Sequence, residues 1–161
     1  MSKCSSALKT ALFTLMVPAI IAGAIPQATV QEEHALAVSS VAARASGSLL
    51  IALGIAGYLW CATLFVRAQG TPAPAFPTKE TVVGGPYRVN RNPMYTSVLA
   101  VVFGQAVVYW NSTLLVYGAF LAIGFHLFVI LYEEPALRAR FNGEYAEFCR
   151  RVPRWIPKLR R

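Results

Sequence analysis

Charge is scarce in this chain of 161 residues: 14% of its residues are charged and 56% are hydrophobic, where soluble domains carry about 25% charged and 45–50% apolar residues. Windows at residues 10–31, 45–66 and 92–132 hold no Asp, Glu, Lys or Arg, and the last is 41 residues long. So short a chain cannot bury three 20-residue helices on all sides, which excludes an ordinary soluble core. Cysteine is equally sparse. Cys4, Cys61 and Cys149 are odd in number and far apart, which excludes a disulfide framework and any familiar metal-ligand spacing. The chain also lacks a Walker loop, a hydrolase triad pattern, a dinucleotide glycine fingerprint, internal repeats and low-complexity tracts. Acidic residues number seven against fifteen basic ones, for a net charge of +8. The basic residues flank apolar windows, so their expected partners are anionic lipid headgroups rather than nucleic acid.

What is present is hydrophobic length. A helix rises about 1.5 Å per residue, so 41 residues would run roughly 60 Å, twice a ~30 Å bilayer core. The run is therefore expected to be a helical hairpin turning at Tyr109-Trp110-Asn111-Ser112-Thr113. Together with the earlier windows it predicts an all-α integral membrane protein with about four transmembrane helices, near 10–27, 47–66, 95–110 and 113–132. Cytoplasmic interfacial helices follow at the C-terminus, where Leu137, Phe141, Tyr145 and Phe148 recur at helical spacing with Asn142-Gly143 as a possible break. Residues 1–66 form an N-terminal transmembrane pair, and residues 67–161 form a catalytic region of loop, hairpin and tail. Lys3, Lys9, Arg67, Lys79, Arg88, Arg91 and the basic tail lie on one side, against Arg44 beside Glu32 and Glu33 on the other. By the positive-inside rule both termini are cytoplasmic, and the expected setting is a bacterial inner membrane. A competing reading takes residues 1–24 as a cleaved signal peptide, which leaves three spans and the same cytoplasmic face.

The hairpin returns two polar clusters to one membrane face. At its entry stand Tyr87, Arg88, Arg91, Asn92 and Tyr95, with Asn92-Pro93 reading as a helix start. At its exit stand Glu133 and Glu134, about 100° apart on a helix, with His126 two turns before Glu133 on nearly the same face. Ionisable groups at a span edge mark a functional site by default; the bland alternatives are that the glutamates pair with neighbouring arginines and that His126 is a packing residue. Two Arg, two Glu and several Tyr suit a zwitterionic ligand, with Arg taking a carboxylate and Glu an ammonium or ribose hydroxyls. Little acid–base machinery is available, so any reaction should need little of it.

Gly85-Pro86-Tyr87-Arg88-x-x-Arg91-Asn92-Pro93-Met94-Tyr95, followed by Glu133-Glu134-x-x-Leu137-x-x-x-Phe141-x-Gly143-x-Tyr145-x-x-Phe148 and Val152-Pro153-Arg154, resembles the isoprenylcysteine carboxyl methyltransferase and phospholipid methyltransferase family. The resemblance covers about residues 84–157. It implies S-adenosylmethionine as cofactor, bound by Tyr87, Arg91, Asn92, Tyr95, Glu133 and Glu134, with Leu137 and Tyr145 packing the pocket; His126 joins them as a candidate contact. Arg88, Arg91 and Glu133 are the candidate catalytic residues, and no metal is expected. The family usually has His where this chain has Asn92, and Gly near Thr96-Ser97.

The implied function is methyl transfer to a lipophilic or lipid-linked acceptor, an isoprenylcysteine-type carboxylate or similar, with a phospholipid amine or a small thiol as alternatives. Two rivals differ in class: an NADPH-dependent membrane reductase and a non-catalytic four-span protein. A transporter would place charge near mid-membrane, whereas every carboxylate here lies at or outside a span edge.

Overall fold

The computed structural model describes residues 19–32, 40–67 and 84–156. The basic N-terminus with Cys4, the signal-like start, the outer connection at 33–39, the proline-rich loop start at 70–77 and the last five residues lie outside the described residues. Among those described, every regular element is helical.

Helix α1 (Ile25–Glu32) follows a π-helical turn, Ile20–Ala24. Pro26 dictates that turn: it has no N–H to donate and its ring would collide with the carbonyl four residues earlier, that of Ala22. The wider turn relieves the clash and frees carbonyls, and neighbouring helices satisfy them. Gln105 Nε2 donates to Ala22 O at 2.7 Å, and Tyr117 Oη donates to Ile21 O at 2.9 Å. The same device recurs at the far end of the hairpin. Helix α4 (Ser112–Phe128) runs through a second π turn, Val129–Glu133, into α5 (Glu134–Arg151), whose second residue is Pro135.

Helix α2 (Val41–Arg67) packs along α3 (Pro93–Tyr109) through small residues. A Cβ on Gly47 would stand 2.7 Å from Gly104 O, one on Gly54 2.7 Å from Ser97 O, and one on Gly57 2.7 Å from Ser97 Oγ. Close backbone approach of this kind is how helices associate where lipid removes the hydrophobic drive. Between α2 and α3 a 3-10 turn, Gly85–Arg88, returns the chain to the membrane face. Gly85 takes a φ of +54° against Trp60, with no room for a side chain.

The hairpin turns where expected. Trp110 caps α3 in the left-handed conformation with a φ of 50°. Asn111 Oδ1 accepts from Leu114 N at 2.8 Å and starts α4. Two helices, α2 and the one beginning at Ser112, are long and apolar enough to cross a membrane, and only 17% of each apolar window is buried within the protein. Their apolar sides therefore face outward, unlike those of a soluble core helix. Helix α3, an apolar helix of 17 residues, spans about 26 Å and is shorter than the two crossing-length helices. The first expected span is described only from residue 19. Among the described residues, two helices of crossing length thus stand, where the whole chain was expected to hold about four.

Helix α5 departs from a straight rod. Fifteen residues of straight helix would separate Glu134 from Cys149 by about 22 Å, yet Arg91 Nη1 lies 3.1 Å from Glu134 Oε1 and 2.8 Å from Cys149 Sγ. The element must fold back between them, and Asn142-Gly143 is its weakest helical dipeptide. The chain end then returns to the start of α3.

Candidate functional site

The start of α3 is built by side chains that replace ordinary capping. Asn90 Oδ1 accepts from Asn92 N, and Asn90 Nδ2 donates to Thr96 Oγ1 at 2.9 Å. Asn92 sits at the N-cap position ahead of Pro93, as its sequence suggests, but its side chain makes no cap. Instead Asn92 Nδ2 donates to Arg154 O at 3.0 Å, while Arg91 N donates to Pro153 O at 2.9 Å. Two hydrogen bonds thereby clamp the returning C-terminal segment against α3.

That clamp brings Arg91 and Arg154 to one carboxylate, which Arg138 approaches from its own helix. Glu134 Oε1 accepts from Arg91 Nη1 at 3.1 Å and from Arg154 Nε at 2.7 Å; Glu134 Oε2 accepts from Arg154 Nη2 at 3.0 Å, with Arg138 3.7 Å away. The Glu134 side chain is 7% exposed and that of Arg91 12%. The fork of Arg154 is bidentate, the geometry in which Arg–carboxylate pairs are strongest. Its hydrogen bonds to Glu134 raise the Arg154 pKa further, against a smaller opposing effect of burial. Arg91 Nε, by contrast, is buried with no acceptor, which is uncommon for a charged donor.

Glu133 faces another environment. Its Oε2 accepts from Tyr95 Oη at 2.9 Å, and Tyr95 lies against Phe125 with ring centroids 4.8 Å apart. Tyr87 is buried in the core with Tyr58, Cys61, Met94 and Val98. Burial raises its phenol pKa well above the usual range, and the charges of Cys61 and Glu133 push the same way. Tyr145 is buried beside Cys149; burial raises its phenol pKa too, with Cys149 and Glu134 adding to the effect.

The structure therefore gathers Arg91, Asn92, Tyr95, Glu133, Glu134 and Tyr145, and sets Tyr87 behind Glu133. Leu137 is half-buried at the start of α5. Arg88 is exposed and forms no ion pair among the described residues. His126 is set apart: exposed, its Nδ1 accepts from Trp155 Nε1 at 3.0 Å. The expected shared face with Glu133 assumed an unbroken α-helix, and the π turn between them changes the register. Arg154 and Cys149 complete the cluster without having been singled out as site residues. The Val152-Pro153-Arg154 motif was the one available signal for Arg154. Beside α3, an open and mostly apolar groove of about 350 Å³ is lined by Trp60, Pro86, Val89, Pro93 and Thr96 among others; none of the clustered charged residues lines it.

Residues 42–144 match the family model of the phospholipid methyltransferases. The chain is 29% identical over 115 residues to the nickel-cobalt-cadmium resistance protein NccN of Alcaligenes xylosoxydans xylosoxydans, covering 70% of this chain and 49% of that protein. It is 32% identical over 116 residues to the cobalt-zinc-cadmium resistance protein CzcN of Cupriavidus metallidurans, covering 70% and 48%. It thus spans about half the length of the curated relatives it matches. No solved structure matches it.

Proposed function

Because the chain belongs to the phospholipid methyltransferase family, we propose that it transfers a methyl group from S-adenosylmethionine to a lipophilic acceptor at the membrane edge. The observation that carries this reading is that the start of α3 holds a buried donor without a partner, Arg91 Nε, while Tyr95, one turn along the same helix, holds Glu133, a carboxylate that takes a single hydrogen bond from the described residues. One donates a hydrogen bond and the other accepts one, a combination that fits a zwitterionic amino-acid moiety. Arg91 and Glu133 would hold that moiety, with Tyr95 fixing the carboxylate and Tyr145 closing the apolar side. When bound, the cofactor supplies a methyl group on a sulfonium, a donor already activated. The protein's own work is then to align the acceptor within about 3–3.5 Å and to exclude water.

Arg91 is engaged by Glu134 and Cys149, so exposed Arg88 is the better candidate to orient an anionic acceptor group. The apolar groove one residue further along the chain, at Val89, offers a surface for the acceptor's tail. The site sits where α4 leaves its apolar stretch, which lets a polar cofactor enter from water and an apolar acceptor from lipid. Among the described residues no three His, Cys, Asp or Glu side chains gather as a metal site.

Detergent-purified protein is expected to bind S-adenosylhomocysteine and not NADPH by calorimetry. With labelled S-adenosylmethionine it should methylate a component of a membrane lipid extract, and R88A should raise the KM for that component while leaving cofactor affinity unchanged. Retention of NADPH in place of S-adenosylhomocysteine would refute the assignment. Chromatography of the labelled product separates carboxylate, amine and thiol acceptors.

A further inference from the structure

The two adjacent glutamates are not equivalent. A carboxylate offers about four lone-pair sites, and Glu134 accepts three hydrogen bonds, from Arg91 Nη1, Arg154 Nε and Arg154 Nη2, with the Arg138 guanidinium 3.7 Å away. A ligand ammonium would meet three guanidinium groups at that carboxylate. Among the described residues Glu133 accepts one hydrogen bond, from Tyr95. The segment carrying Arg154 is itself held by Asn92 Nδ2 and Arg91 N through the carbonyls of Arg154 and Pro153. The guanidinium is thus delivered by α3 to a carboxylate on α5.

We propose that Glu133 is the carboxylate that faces the methyl donor, whereas Glu134 and Arg154 form a keystone that joins the two walls of the pocket and positions Arg91. This rests on the methyl-donor reading above and divides its labour. Arg154 is accordingly a positioning residue: it acts through Glu134 on the side chain that meets the ligand. Removing one member of a buried pair leaves its partners uncompensated, so the keystone should register in stability, while Glu133 should register in affinity.

The test measures Tm without ligand, and S-adenosylhomocysteine affinity well below Tm, for E133Q, E134Q, R154Q, R154K and E134Q/R154Q in detergent. E133Q should keep the wild-type Tm and weaken binding at least about tenfold, the scale of one lost charge-assisted contact. E134Q and R154Q should each lower Tm by about 10 °C and weaken binding by no more than about threefold. The double variant should fall no further than the worse single one, because both remove the same contact. R154K keeps the charge but loses the fork, and should recover part of both the Tm and the affinity; it supplies a folded variant if R154Q fails to purify. The proposal is overturned if E134Q weakens binding as much as E133Q at unchanged Tm, if E133Q binds normally, or if the two keystone substitutions add. Should the wild-type protein bind no S-adenosylhomocysteine, the donor reading and the ligand-facing role of Glu133 fall together, and the keystone is still judged by the ligand-free Tm cycle.

Discussion

Asn92 shows how one side chain is redirected by its surroundings. An Asn ahead of Pro and a helix reads as an N-cap, whose oxygen would accept from the first turn. Here Asn90 supplies the local acceptor, and the Asn92 amide turns to the carbonyl of Arg154. In this chain the Asn92 side chain is a buried strut. N92A strands that carbonyl, a loss of about 1–3 kcal/mol, and should lower Tm by roughly 3–10 °C in a detergent thermal-shift assay. N92D should fall below N92A, because a carboxylate cannot donate and would face a carbonyl oxygen. A stability in N92D equal to wild type would contradict the strut. The pairing of Arg91 with the glutamates was legible beforehand because hairpin geometry alone returns them to one face. The approach of Arg154 and Cys149 was not. It depends on a fold-back within α5 that helical periodicity does not encode, and on backbone contacts between segments some 60 residues apart.

At the scale of elements, the expected spans fall on the helices: 47–66 lies within Val41–Arg67, which starts six residues earlier, 95–110 matches Pro93–Tyr109 to within two, and the turn comes at Trp110-Asn111. The π turns escaped because a 3.6-residue period assumes an unbroken ladder. Both still have a visible cause, a proline two residues beyond the turn, at Pro26 and Pro135. At the second of these the turn ends on Glu133 itself, so the proline sets which way the two glutamates point. Glycines in α2 are a second element-scale signal. Their crowding on α2 allowed close packing within the chain or between chains; the contacts with Gly104, Ser97 and Val101 place it within the chain. G104A drives a Cβ to 2.8 Å from Gly47 O and 2.7 Å from Ile51 Cγ1, overpacking that should cost about 1–3 kcal/mol. Gly124 has nothing within 4 Å of its would-be Cβ, so G124A is the control and should be neutral or slightly stabilising. The contrast is read by thermal unfolding of the two purified variants. Equal stability would mean that α2 and α3 stand further apart.

For the molecule as a whole, sidedness decides whether the proposed site can meet a cytosolic methyl donor. The start of α3, the end of α4 and the returning tail converge at one end of the hairpin, with Arg88, Arg138, Arg140, Arg150, Arg151 and Arg154 there. The turn at Trp110-Asn111, at the other end, has no charged neighbour within the window 92–132. Such asymmetry favours a cytoplasmic placement of the basic end, attracted to anionic headgroups at ~1 kcal/mol per basic residue. Single cysteines test it. In a background with Cys4 and Cys149 changed to Ser, the buried Cys61 is expected to stay unreactive. S112C, at the exposed start of α4, should then react with an impermeant maleimide added to intact cells. R150C, exposed on α5, should react only after permeabilisation. The reverse pattern would put Arg91, Glu133 and Glu134 on the outer face, away from a cytosolic methyl donor. It would remove the donor assignment while leaving the hairpin geometry intact, because nothing in the packing of α2, α3 and α4 depends on which side faces the cytosol.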